Sequence, residues 1–407
     1  MRGHQKYFSI ADKNGRLRNH FIITSNTRIE NAETVRAGAH RVIKARFDDA
    51  RFYYKDDMRH PLHARREDLK KVTFQDKLGS VYDKLVRMEG LAGALADAIC
   101  PDKKDSAVRA ASIAKCDLIS GVVREFPELQ GIMGMYYANY ENRPHDVAIA
   151  LMEQYMPLGS GAKVPETDLG AVLSLADRMD NIAAFFSIGL KPTGSEDPFA
   201  LRRHALAIIS ILMERGYSIT LKEMTEIALV GLHKAPEATG ADIRAFFEQR
   251  FEPLLAGMGY TYDVVQAVLP YVTTHSLTTL KARCDAVAAF KAEAWYTPFL
   301  IAIKRARNII PPSERWRVLQ SLFITDEERS LYQSFESANT DVVSMADEGR
   351  FSEALLAMKP ITEPINTFFE KVLVMDKDES VRNNRLALLA VIWAMTYDVA
   401  DLSKLQE

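Results

Sequence analysis

The sequence predicts a predominantly all-α protein that opens with one short β-hairpin. Three observations lead there. Strand-like alternation ends at about residue 32. Helical spacing of apolar residues then runs to the C-terminus, broken at Pro101, Pro127, Pro144, Pro157, Pro165, Pro192, Pro236, Pro270 and Pro311-Pro312. The last helical stretch is apolar around most of its circumference, as expected of a helix central to a bundle.

The hairpin is read from "KYFSIADKNGRLRNHFIITSN", where two strand-like runs flank Asp12-Lys13-Asn14-Gly15 and Asn-Gly supplies the positive φ values of a tight turn. The segment from Glu33 to Asp57 sets Val35, Ala39, Val42, Ala50 and Tyr54 on one helical face. Arg36, His40, Lys44, Arg51 and Lys55 form a basic stripe on another, with Lys70 and Lys71 beyond it. In "GLKPTGSEDPFALRR", Gly189 and Gly194 have the spacing of a phosphate loop, but Ser195 and Glu196 stand where its lysine and hydroxyl belong. A helical run precedes it rather than a strand. We therefore read Gly189 as a helix C-cap, Pro192 as a stop, Asp197 as an N-cap and Pro198 as the first residue of the next helix. Leu201, Ala205, Ile208 and Leu212 form that helix's buried face, leaving Arg202 and Arg203 as its working residues. The final helix carries Leu386, Leu389, Trp393 and Tyr397 on one seam and Leu388, Ile392, Met395 and Val399 on another.

At 407 residues the chain exceeds one ordinary core, which predicts two or three domains, with a boundary near residue 290. A hydrophobic fraction of 47% and a charged fraction of 26% are those of a globular protein. No apolar run approaches the roughly 18 residues of a membrane span, and no signal-peptide core is present, so no membrane association and a cytoplasmic location are expected. Cys100, Cys116 and Cys284 lack metal-type spacing. The net charge of −2 hides an asymmetry. Residues 1–71 hold 17 Lys and Arg against 9 Asp and Glu, whereas residues 318–380 hold 5 against 13. A basic end can bind a polyanion locally.

Catalytic motifs are scarce. There is no G-x-S-x-G and no H-E-x-x-H, and His145-Asp146 begins a helix after Pro144. "AKCDL" and "LADRMDN" are each read inside a helical run. They resemble the metal-binding helices of His-Asp (HD) phosphohydrolases, with Cys116-Asp117 where His-Asp would stand and Asp177 as the lone carboxylate. Without imidazole the ligand set is degenerate, and structural roles for Asp177 and Arg178 are the expected reading. A stand-alone HD-type metal-dependent phosphohydrolase, using Asp117, Asp177 and a further histidine, is the alternative.

Longer stretches carry a more specific resemblance. "EFPELQGIMGMYYA", "PETDLGAVLSLADRMDNIAAFFSIGLKPTGSEDPFALRR" and "NNRLALLAVIWAMTYDVADLSKL" resemble the β subunit of the bacterial heterotetrameric glycyl-tRNA synthetase. So do "MRGHQKYF", "ARFDDARFYYKDD" and "FQDKLGSVYDK". Because these motifs belong to the C-terminal part of longer family chains, the expectation is an N-terminally truncated form. The resemblance implies a remnant of an N-terminal domain over 1–65, a degenerate HD-like helical domain over 66–290 and an anticodon-binding helix bundle over 291–407. It also implies no catalytic site and no cofactor on this chain. ATP and Mg would be used by the α subunit, in a heterotetramer of two α and two β subunits that acts on tRNA(Gly).

Charge then names candidate RNA contacts. "IKRARNIIPPSERWR" contains Lys304, Arg305, Arg307, Asn308, Arg315, Trp316 and Arg317, and its first part resembles the R-x-x-N-I element of arginyl-type anticodon-binding bundles. Lys304 and Arg307 are one turn apart, and Trp316 can either stack on an unpaired base or anchor the core. Arg36, Lys44 and Arg51 form a second candidate surface, Arg202 and Arg203 a third.

Overall fold

A computed structural model describes residues 7–26, 28–159, 161–232, 235–311 and 317–406. The hairpin pairs β1 (Tyr7–Ala11) with β2 (Leu17–Ile23), Tyr7 opposite Ile23 and Ala11 opposite Leu17. Its turn differs from the Asn-Gly expectation. Asp12 accepts hydrogen bonds from the Asn14 and Arg16 amides through Oδ1, and Gly15 takes the positive φ of +78° while Asn14 does not. An aspartate side chain thus organises a longer loop. The sequence reading also missed a second two-stranded ladder, β3 (Thr73–Gln75) with β4 (Gly79–Ser80), too short to show alternation.

The helices are α1 (Ala32–Asp57), α2 (Val81–Ile99), α3 (Lys104–Ala111), α4 (Gly121–Glu125), α5 (Ile132–Tyr140), α6 (His145–Glu153), α7 (Asp168–Ser187), α8 (Leu201–Arg215) and α9 (Leu221–Val230). They continue as α10 (Thr239–Gly257), α11 (Tyr262–Val268), α12 (Leu277–Phe290), α13 (Tyr296–Ile309), α14 (Asp326–Asp347), α15 (Phe351–Ala357), α16 (Thr362–Lys371) and α17 (Glu379–Tyr397). Caps explain several starts. Asn31 Oδ1 accepts from the Glu33 and Thr34 amides, and Ser80, Thr220 and Thr325 each form a reciprocal capping box with the acid three residues on.

Helix α7 is the hub, because every residue from Leu169 to Phe186 is buried among α2, α6, α8, α9 and α10. A helix polar at Asp177, Arg178, Asp180 and Asn181 can be buried all round only if each charge is matched. Helix α17 plays the central part in the C-terminal bundle, packed on α13 and α14. Its buried polar pair is satisfied: Arg385 Nε bonds Glu328 at 2.7 Å and its Nη1 reaches Asp376 at 2.8 Å, while Asn384 bonds both the amide and the carbonyl of Leu319.

The 189–200 joint also departs from expectation in one respect. Gly189 takes φ +79° directly after α7, as a C-cap glycine does. Helix α8, however, begins at Leu201 rather than Pro198, because Ala200 sits at φ 57° and breaks the helical path. Asp197 still caps the helix from this distance, accepting from the Leu201 and Arg202 amides.

Candidate nucleic-acid interface

Helix α13, "YTPFLIAIKRARNI", buries Phe299, Leu300, Ala302, Ile303 and Ala306 between α16 and α17. The spacing leaves Ile301, Lys304, Arg305 and Asn308 along the outer ridge. Two arginines lean off that ridge in opposite directions. The Arg305 guanidinium lies 4.5 Å from the centre of the Phe369 ring on α16, and Arg307 lies 4.9 Å from the Trp393 ring on α17. Both arginines remain exposed, so the rings cover one face of each guanidinium while its N–H edge stays available. Lys304, Arg307, Asn308, Ile310 and Ser403 line one polar depression beside the ridge. Arg317 is exposed, whereas Arg315 and Trp316 lie outside the described residues. Neither Phe369 nor Ser403 was singled out by the sequence reading, since no local pattern ties them to α13.

On α1, Arg36, His40, Lys44, Arg51 and Lys55 are all exposed. Ala39, Ile43 and Asp57 are its buried residues, so Ile43 rather than the expected Val42 faces inward. Arg36 spends one donor on the Ala32 carbonyl. Lys70 and Lys71 do not extend a free stripe, because each pairs with the carboxylate three residues earlier, Glu67 and Asp68. Arg202 donates to the carbonyls of Gly194 (2.6 Å) and Glu196 (3.2 Å), which folds it over the joint, while Arg203 is exposed.

The positions read from the sequence as degenerate HD ligands, Cys116, Asp117 and Asp177, are all buried. Cys116 and Asp117 lie in a short 3-10 turn, Cys116–Ile119, rather than in the helical run expected. Asp117 Oδ2 accepts from the Gly131 (2.5 Å) and Gly134 (3.2 Å) amides at the start of α5, so its role there is that of a cap. Burial raises the Asp117 carboxyl above its ordinary range and lifts the Cys116 thiol to about 12. Asp177 faces Lys84 Nζ at 2.9 Å and Lys115 Nζ at 3.2 Å, and Lys84 also reaches Asp180 at 3.0 Å and Asn181 at 2.8 Å. Burial alone would raise Asp177, but Lys115 and Lys84 outweigh it and hold the carboxyl well below its usual range.

His204 on α8 is the histidine nearest this cluster in role. It bonds Arg178 (3.4 Å) and Asn181 (3.3 Å), and burial, against the pull of Asp177, brings it down to about 4. Among the described residues no three His, Cys, Asp or Glu side chains converge as metal ligands. A divalent ion at Asp177 would also sit against two ammonium groups in a low-dielectric interior, so these residues do not fit a metal.

Comparison with known proteins agrees with this arrangement. Residues 1–270 match the family model described as glycyl-tRNA synthetase beta subunit, and residues 300–395 match the DALR anticodon binding domain. The chain is 41% identical over 405 residues to the glycine–tRNA ligase beta subunit of Thermodesulfovibrio yellowstonii, covering 100% of this chain and 59% of the relative. The beta subunits of Syntrophus aciditrophicus and Geotalea daltonii are 39% and 40% identical over 409 residues, again covering 100% of this chain and 59% of theirs. The chain therefore spans about three fifths of the length of the curated relatives it matches. A DALR match that contains the whole of the α13 ridge, preceded by a beta-subunit match over two thirds of the chain, settles the family: this chain belongs to the glycyl-tRNA synthetase beta subunit family.

Proposed function

We propose that this chain is a tRNA-binding part of a glycine–tRNA ligase β subunit, positioning tRNA(Gly) for ATP-dependent glycylation by an α subunit in the cytoplasm. The observation that carries the reading is the α13 ridge, where the exposed Arg305, Arg307 and Asn308 stand with the half-buried Lys304 inside an anticodon-binding domain match. The contribution to catalysis is orientation: a gripped tRNA presents its acceptor end to an active site on another subunit. In this reading the partner is an α subunit in an assembly of two α and two β chains. ATP and Mg are used on the α subunit, and this chain binds no cofactor of its own. The α1 stripe of Arg36, Lys44 and Arg51 and the exposed Arg203 are secondary contacts. No helix among the described residues is long and apolar enough to cross a membrane. A metal-dependent phosphohydrolase is disfavoured by Lys84 and Lys115 at Asp177.

The test is titration with glycine tRNA at several salt concentrations. Log K should fall linearly with log salt, by roughly 0.7 to 0.9 per phosphate neutralised. Reversing Lys304, Arg305 and Arg307 to glutamate should weaken binding at least tenfold and flatten the slope by two to three phosphates, about one per charge removed. Equal affinities for the two proteins would sink the α13 assignment. Co-purification with the α subunit, followed by aminoacylation with and without this chain, checks the partner.

A further inference from the structure

The C-terminal end of a helix is a poor place to hold an anion. Its last carbonyls point outward and the macrodipole is negative there. Yet Arg307 and Asn308 lie in the final turn of α13, which ends at Ile309, and Arg305 stands just before it. Any attraction for phosphate must come from side chains alone. A long arginine left free would lose much of its rotamer freedom on binding, so ordering it beforehand has a direct effect on affinity.

The structure supplies that order from two other helices. Trp393 is half-buried, and its ring is braced by Tyr397 at a centroid distance of 5.6 Å, itself 5.5 Å from Tyr271. Phe369 is buried and packs edge-on against Phe368 at 5.8 Å. These fixed rings face the Arg307 and Arg305 guanidinium groups at 4.9 Å and 4.5 Å, one on each flank of the ridge. Both arginines are exposed residues, so the rings hold them without burying them.

We propose that Trp393 and Phe369 are positioning residues for RNA: they hold Arg307 and Arg305 in place on either side of α13, so that a phosphate backbone meets two arginines that are already ordered. The inference rests on the tRNA-binding reading above and adds residues that touch the arginines rather than the RNA.

The experiment is a pair of double-mutant cycles on the full chain, Trp393→Leu with Arg307→Ala and Phe369→Leu with Arg305→Ala. The probe is transcribed glycine tRNA, followed by anisotropy at several salt concentrations, with thermal unfolding of every variant as a folding control. Each ring removal should raise Kd about two- to fivefold, the range an exposed cation–π contact supports. The salt slope should stay at its wild-type value, because the charge is still present, whereas each arginine removal should lower it by about one phosphate. Each double variant should bind no more weakly than its arginine variant, and Trp393→Phe should bind as wild type.

Wild-type affinity for both ring variants overturns the proposal. So does full additivity of the two losses, which would mean that the ring touches RNA itself. If Trp393→Leu does not fold, the Phe369–Arg305 cycle decides alone. Wild-type affinity for both arginine variants is a different failure, since it removes α13 from the interface and takes the tRNA-binding reading of this ridge with it.

Discussion

Asp177 stands in a buried cluster of charges. Its carboxylate lies between Lys84 and Lys115, and all three side chains are buried. Taking one charge from such a group costs more than the pair contributes, because the partner is left buried and uncompensated. Removing Asp177 leaves Lys84 with Asp180 and Asn181. Lys115 keeps the face of the Tyr155 ring at 4.3 Å, and among the described residues no other carboxylate pairs with it. Asp177→Ala should therefore lower stability by about 3–5 kcal/mol in urea unfolding. Adding Lys115→Met should restore most of that loss, since an apolar side chain of similar length needs no counter-charge. A double variant as unstable as the single would show that the loss comes from packing instead. The same reasoning separates this cluster from a metal site, because its positive charge is already supplied by the chain.

At the scale of elements, the start of α5 shows how a loop and a helix are matched. Asp117 supplies the cap from a turn fourteen residues earlier, accepting from the Gly131 amide. Gly131 takes φ +78°, and a Cβ there would lie 2.5 Å from the Tyr155 ring and 2.9 Å from the Leu151 carbonyl. Backbone strain and collision act together, so Gly131→Ala should cost about 2–4 kcal/mol. Gly15 has nearly the same φ in the hairpin turn but nothing within 4 Å of the same position. Gly15→Ala should cost only the conformational penalty, about 1 kcal/mol. Chemical denaturation of the two variants compares them directly. Equal losses would mean that the contact with α6 and Tyr155 contributes nothing.

Across the whole molecule, one hydrophobic cluster runs from Leu62 to Leu405 and passes through the expected boundary near residue 290. Helix α12 packs on α15, and Arg283 donates to the carbonyls of Asp398, at 2.7 Å, and Val399. Asp263 pairs with Lys291 at 2.6 Å and accepts the Gln406 amide at 3.0 Å. These links tie α11 and α12 to the C-terminal bundle. A chain cut after residue 290 would uncover Phe290, whose ring packs against Trp295, Tyr296 and Phe299, and leave Arg283 without those acceptors. Such a fragment should unfold at lower denaturant than the full chain and bind a hydrophobic dye. An unchanged midpoint with no dye binding would mean that these contacts add no stability.

What could be read in advance was whatever near neighbours decide. The helical majority, the hairpin, the glycine at 189, the central character of the last helix and the basic ridge at 304–308 all follow from spacings within one or two turns. Local rules also singled out "AKCDL" and "LADRMDN", but not which side chains surround Asp117 and Asp177. Lys84 reaches Asp180 across 96 residues of chain, Arg385 reaches Glu328 across 57, and the rings that hold Arg305 and Arg307 come from other helices. The sequence by itself determined which segments are helical and which surfaces carry positive charge, because periodicity and composition are local properties. Only the tertiary structure decided that lysines neutralise Asp177, that Asp117 is a cap, and that two aromatic rings hold the arginines of α13. Those outcomes depend on which distant side chains the packing brings within a few ångströms, and no spacing along the chain encodes that.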